Sequence, residues 1–132
     1  MKVLFIANAF PSPDLPNKGA FNYRGAKQIR ALADNLQVLH LRAWRPGRPV
    51  WQSYNMDGIP VWAFSFPFYD LLGDTITGLV TGVYKNALFF SYLKERIKAF
   101  DVIHSVGLGF SGIVGAFVSE KTGKPHIAQC IG

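Results

Sequence analysis

Apolar positions along the chain alternate between short continuous runs and stretches of helical spacing. Val3, Leu4, Phe5 and Ile6 run together and predict a buried strand over Lys2–Asn8. Pro11, Pro13 and Pro16 make residues 9–20 a loop. From Phe21 to Asp34 the pattern turns helical: Ala26, Ile29, Leu32, Ala33 and Leu36 recur on one side, with Arg24, Lys27, Gln28 and Arg30 mainly on the other. Leu36–Leu41 reads as a second strand, residues 43–58 as a loop, and Ile59–Phe66 as a third strand with Pro60 near its start. Residues 67–77 read as irregular, and a long helix is expected over Thr77–Ala99, best from Lys85 onward. Asp101–Val106 predicts a fourth strand, and Phe110–Lys121 a helix that Thr122-Gly123 stops. Pro125–Ile131 predicts a fifth strand.

The resulting order, β-α-β-β-α-β-α-β, implies an α/β fold. The expected form is a Rossmann-like, doubly wound, mostly parallel sheet of about five strands in a single domain over residues 1–132. The chain stops at Gly132, directly after a strand, where such a fold would continue into a loop and helix; a truncated chain is therefore expected.

Composition narrows the classes. Nearly half the 132 residues are apolar, enough for a real core. The net charge of +6 is uneven, with eight Lys/Arg against three Asp in residues 1–60 and six against five acidic residues in 61–132. Such a basic half suits an anionic partner or simple solubility. The lone Cys130 excludes an internal disulfide and a cysteine-built zinc site, and its apolar neighbours suggest a buried, inert thiol. Val3–Ile6 is too short for the core of a signal peptide, and residues 102–119, without Asp, Glu, Lys or Arg, include His104 and too many serines and glycines for a membrane span. His40, His104 and His126 are far apart in sequence, so no metal site is expected.

In an open parallel sheet, ligands gather beyond the carboxyl ends of the strands. Three segments fall there. The loop after the first strand closes with Asn17-Lys18-Gly19-Ala20; its glycine either makes a turn or lets the backbone and the following helix N-terminus approach a phosphate. His104, followed by Ser105, ends the fourth strand, where it is either a base or hydroxyl-binding group or a satisfied sheet histidine. Gly107-Leu108-Gly109-Phe110-Ser111-Gly112 spells a dinucleotide-binding pattern, but it follows the fourth strand and lacks an acidic residue about 20 positions on, so tight helix–strand packing is the better reading. Two surfaces could meet a membrane: the Arg42, Trp44, Arg45, Arg48 and Trp51 loop, and the basic helix Lys85–Lys98, for which a core-facing role is preferred.

Several of these pieces together resemble the N-terminal domain of family 4 glycosyltransferases, which have the two-domain GT-B fold. They are Lys2-Val3-Leu4-Phe5-Ile6, the Pro-rich loop and Gly19, then Phe100-Asp101-Val102-Ile103-His104 and Thr122-Gly123-Lys124-Pro125. The resemblance implies transfer of a sugar from a nucleotide sugar to a saccharide or lipid-linked acceptor, with retention and without cofactor or essential metal. Gly19 and Ala20 would face the donor diphosphate. His104 would be the catalytic candidate, and His104, Ser105 and Gly107 would lie on the acceptor side. A C-terminal domain binding the nucleotide is absent, so the isolated chain is expected to be inactive. Many members carry histidines where this chain has Val106 and Ile131. The implied location is cytoplasmic, peripheral to the inner face of a membrane. The alternatives are an NAD(P)-binding domain using Gly107–Gly112 and a non-catalytic membrane-associated module; nucleic acid ranks last among partners, since no recognition motif stands out.

Overall fold

A computed structural model of the chain describes residues 1–67, 77–107 and 109–130, with residues 77–81 described by their backbone alone. The irregular stretch expected over 67–77, Leu108 of the glycine motif, and Ile131 and Gly132 lie wholly or mostly outside the described residues.

The protein is α/β with a Rossmann-like, mostly parallel sheet. Six strands are β1 (Lys2–Ala7), β2 (Asn35–Ala43), β3 (Trp51–Met56), β4 (Ile59–Phe66), β5 (Val102–Val106) and β6 (His126–Gln129). They lie in the order β3-β4-β2-β1-β5-β6, all parallel except β3, which pairs antiparallel with β4. The five strands expected from the pattern are thus one too few. The missing one, β3, sits in the segment read as a loop. It joins β4 through Asp57-Gly58, both at positive φ (51° and 87°), as a two-residue hairpin demands.

Strand parity divides the core. Leu4, Ile6, Leu39, Leu41, Phe64 and Phe66 pack with helices α2 (Thr77–Leu88) and α4 (Phe110–Thr122). Phe5, Ala7, Val38 and Val61 pack instead with Ala26 and Ile29 of α1 (Ala20–Leu32). Helix α2 continues through a π turn (Phe89–Leu93), a short α3 (Lys94–Arg96) and a 3-10 turn (Ile97–Ala99), so the expected long helix is present but wound unevenly. Phe89, Leu93 and Ile97 of this stretch are buried, which makes it a core-facing element. Leu32, assigned to the inner stripe of α1, is instead 91% exposed in its last turn. Gly123 ends α4 in the left-handed region (φ 74°), as the sequence suggests.

Candidate ligand site at the carboxyl edge of the sheet

The loop between β1 and α1 folds back over the α1 face of the sheet. Gly19 makes that possible. It caps α1 at φ +73°, and a Cβ there would lie 2.5 Å from the Phe10 amide nitrogen and 2.6 Å from the Ala9 carbonyl carbon. The chain crosses itself at this point, so self-packing alone requires the glycine. Three further contacts pin the loop. The Asn22 side chain donates to the Ala9 carbonyl at 2.7 Å, the Tyr54 hydroxyl donates to the Pro11 carbonyl at 2.9 Å, and Arg48 pairs with Asp14.

Beneath the loop, β2 presents Val38, His40 and Arg42 on one face. Arg42 is only 6% exposed. Its Nε donates to Ser65 Oγ at 2.8 Å and its Nη2 to Gln52 Oε1 at 2.6 Å, so neighbouring strands hold the guanidinium rigid. A cavity of about 120 Å³ opens here, lined by Asn8, Phe10, Ser12, Lys18, His40, Arg42, Arg45 and Arg48 among others. Among the described residues, four cations face one carboxylate, Asp14, which borders the adjoining concavity. Asp14 is held down to about 2 by the Ser12 hydroxyl first and Arg48 after it.

Burial, reinforced by Arg42, Lys18 and Arg48, pushes His40 down to about 3, so its imidazole is neutral. Its tautomer follows from the hydrogen bonds. Tyr54 spends its single hydroxyl proton on Pro11, so the 3.1 Å contact between Tyr54 and His40 Nδ1 must use the proton on Nδ1. Nε2 then carries a lone pair, and nothing among the described residues donates to it. Asn8 Oδ1 and Asn22 Oδ1 are buried acceptors without a hydrogen-bond partner among the described residues.

The other sequence candidates are dispersed. His104 lies on the α1 face of β5, stacked on Phe5 (centroids 5.4 Å) and within 3.0 Å of Gln129 Oε1. It lines neither the basic cavity nor the separate groove between α1 and β5–β6 where Phe5, Asn22, Gly25, Gln28, Val106 and Gln129 meet, although it touches Phe5 and Gln129 of that groove. Ser105 points the opposite way. It is fully buried and lies 2.7 Å from His126 Nε2, beneath Gly115 of α4, so it offers nothing to an acceptor. Gly107 turns the chain after β5 at φ +89°, its amide donating to the Gln129 carbonyl at 2.7 Å. A Cβ on Gly112 would lie 2.9 Å from the Gly107 carbonyl oxygen, the close packing anticipated for that motif.

The loop read as a membrane surface does not present its residues together. Arg42 is buried, and Trp51 stacks on Tyr92 (4.7 Å, 3°) under Arg96; Trp44 and Arg45 remain exposed. Cys130 is exposed rather than buried, because β6 forms the sheet edge. Among the described residues, no helix is long and apolar enough to cross a membrane, and no three His, Cys, Asp or Glu side chains gather as metal ligands would. His40 enters the sequence only as one of three dispersed histidines, and Tyr54 carries no signal of its own. His40 hides within an apolar run, and Tyr54 was assigned to a loop.

No protein-family model matches the chain, and no curated protein matches its sequence.

Proposed function

We propose that this chain is the acceptor-side half of a retaining, nucleotide-sugar-dependent glycosyltransferase, one doubly wound lobe of a GT-B fold. The observation that carries the reading is the arrangement at the carboxyl edge. The loop after the central strand β1 ends in left-handed Gly19 at the N-terminus of α1, and α1 has no acidic residue in its first turn and no side-chain cap. Its first amides and positive dipole end therefore favour a diphosphate presented by a second lobe. Gly19 and Ala20 would meet that diphosphate. The groove beside Gln129, whose side chain His104 contacts, would admit a saccharide or lipid-linked acceptor. Neither a cofactor nor a metal is required in this scheme. The expected setting is the cytoplasmic face of a membrane.

The experiment is a transfer assay on the full-length gene product with a panel of uridine and guanosine diphosphate sugars, read as nucleotide diphosphate release that depends on acceptor. Release is expected, with loss in Gly19→Val. A gene product lacking a second nucleotide-binding lobe, or a chain that binds NAD(P)H saturably at micromolar concentration, would overturn the proposal.

A further inference from the structure

We infer that the cavity under the Ala9–Gly19 loop receives a phosphate group carried on a hydroxylated skeleton, with Lys18 and Arg45 on the oxyanion and His40 on a neighbouring hydroxyl. The inference deepens the acceptor-side reading by naming a ligand class. Its test measures binding without transfer, so failure of one leaves the other standing.

Charge is the first support. Lys18, Arg42, Arg45 and Arg48 converge on one concavity, and among the described residues Asp14 is the single carboxylate at its rim. Arg42 and Arg48 are fixed by Ser65, Gln52, Asp14 and the Ala43 carbonyl, so they supply a preorganised positive field. Lys18 is exposed and has no side-chain partner among the described residues, and Arg45 holds only the Trp44 carbonyl. These two are free to close on an anion.

The open imidazole nitrogen supplies the second support. A bare anion would leave His40 Nε2 unserved, because that nitrogen needs a donor. A hydroxyl beside the phosphate donates to that nitrogen while the phosphate takes the cations. Size agrees: the cavity, at about 120 Å³, is many times the ~10–15 Å³ that one water needs. The walls are braced, because Ser65 and Gln52 hold Arg42 while the Tyr54–Pro11 bond and the Arg48–Asp14 pair hold the loop.

The test is calorimetric titration of the protein at low ionic strength with glycerol 3-phosphate, inorganic phosphate and glycerol. Saturable binding of glycerol 3-phosphate is expected, tighter than inorganic phosphate, with glycerol alone inert. Lys18→Gln and Arg45→Gln, both at exposed positions, should each weaken it at least about tenfold. Phosphatidylglycerol vesicles form the second arm. Competition with the soluble ester would assign the group to a lipid headgroup, and absence of competition to a soluble phosphate ester; either keeps the site. No saturable binding of either phosphate, or equal affinity in both variants and the parent, would overturn the inference. So would vesicle binding that survives both substitutions when the soluble ester does not bind.

Discussion

Lys124 Nζ donates to the carbonyl oxygen of Phe100 at 2.6 Å, tying the turn after α4 to the start of β5. The two residues stand in the segments that carry most of the family resemblance, and their role here is architectural. Asp101, next to Phe100, brackets Lys2: its carboxylate accepts from the Lys2 amide and its own amide donates to the Lys2 carbonyl, both at 2.8 Å. Replacing the ammonium with a thioether of similar length leaves the Phe100 carbonyl without its donor. Lys124→Met should therefore cost about 1–2 kcal/mol in denaturant unfolding. A change below a few tenths would show the bond to be incidental.

Gly19 and Gly47 form a matched pair for separating strain from crowding. Both hold positive φ (73° and 82°), yet a Cβ on Gly19 meets backbone at 2.5 Å while one on Gly47 meets nothing within 4 Å. Gly47→Ala should cost only the left-handed penalty of about 1 kcal/mol. Gly19→Ala should cost clearly more and loosen the loop, seen as faster amide exchange over residues 9–18. Equal costs in thermal unfolding would mean that the Ala9–Phe10 backbone gives way.

Tyr54 joins three elements through one hydroxyl, which donates to Pro11 and accepts from His40. Tyr54→Phe removes both bonds and leaves a buried imidazole N–H and a loop carbonyl to find other partners. A loss of about 1–3 kcal/mol is expected, together with weaker phosphate binding if the loop lifts. Unchanged stability and unchanged exchange in the loop would contradict the clamp.

Acid should destabilise the protein through His40. Its folded value is near 3, whereas an unfolded histidine titrates near ~6.5. Below that upper value the unfolded chain takes up a proton that the folded imidazole refuses. The contribution is thus complete above about pH 6.5 and is lost as the pH falls toward 3, by up to ~1.4 kcal/mol per pH unit. His126, also lowered by burial, acts in the same direction. Urea midpoints between about pH 7 and pH 4 should fall in the parent and fall less steeply in His40→Gln. A flat profile in the parent would place His40 in water.

Much of the fold was legible because parallel strands buried on both faces write themselves as apolar runs. Lys2–Ala7 and Ile59–Phe66 are such runs. Trp51–Met56 was missed for the opposite reason: an antiparallel edge strand alternates, here as Trp-Gln-Ser-Tyr-Asn-Met, and the two prolines before it suggested a loop. The signal that could have found it was Asp57-Gly58, a hairpin pair followed by an apolar run. The site was half legible. Gly19 and the arginines were noted separately, but only the folding of the loop across β2 brings Lys18 to Arg42 and covers His40. That crossing depends on contacts between residues 10 and 19, and between 11 and 54, which no local pattern encodes.

A loop closes over the end of β2 and keeps His40 neutral inside a cationic cavity. Nitrogen-15 NMR of the histidine side chains across pH 7 to about 5 tests this directly. His40 should stay uncharged with its proton on Nδ1 throughout, and its signals should shift on addition of glycerol 3-phosphate. An imidazole that titrates near ~6.5 and ignores the phosphate ester would contradict it.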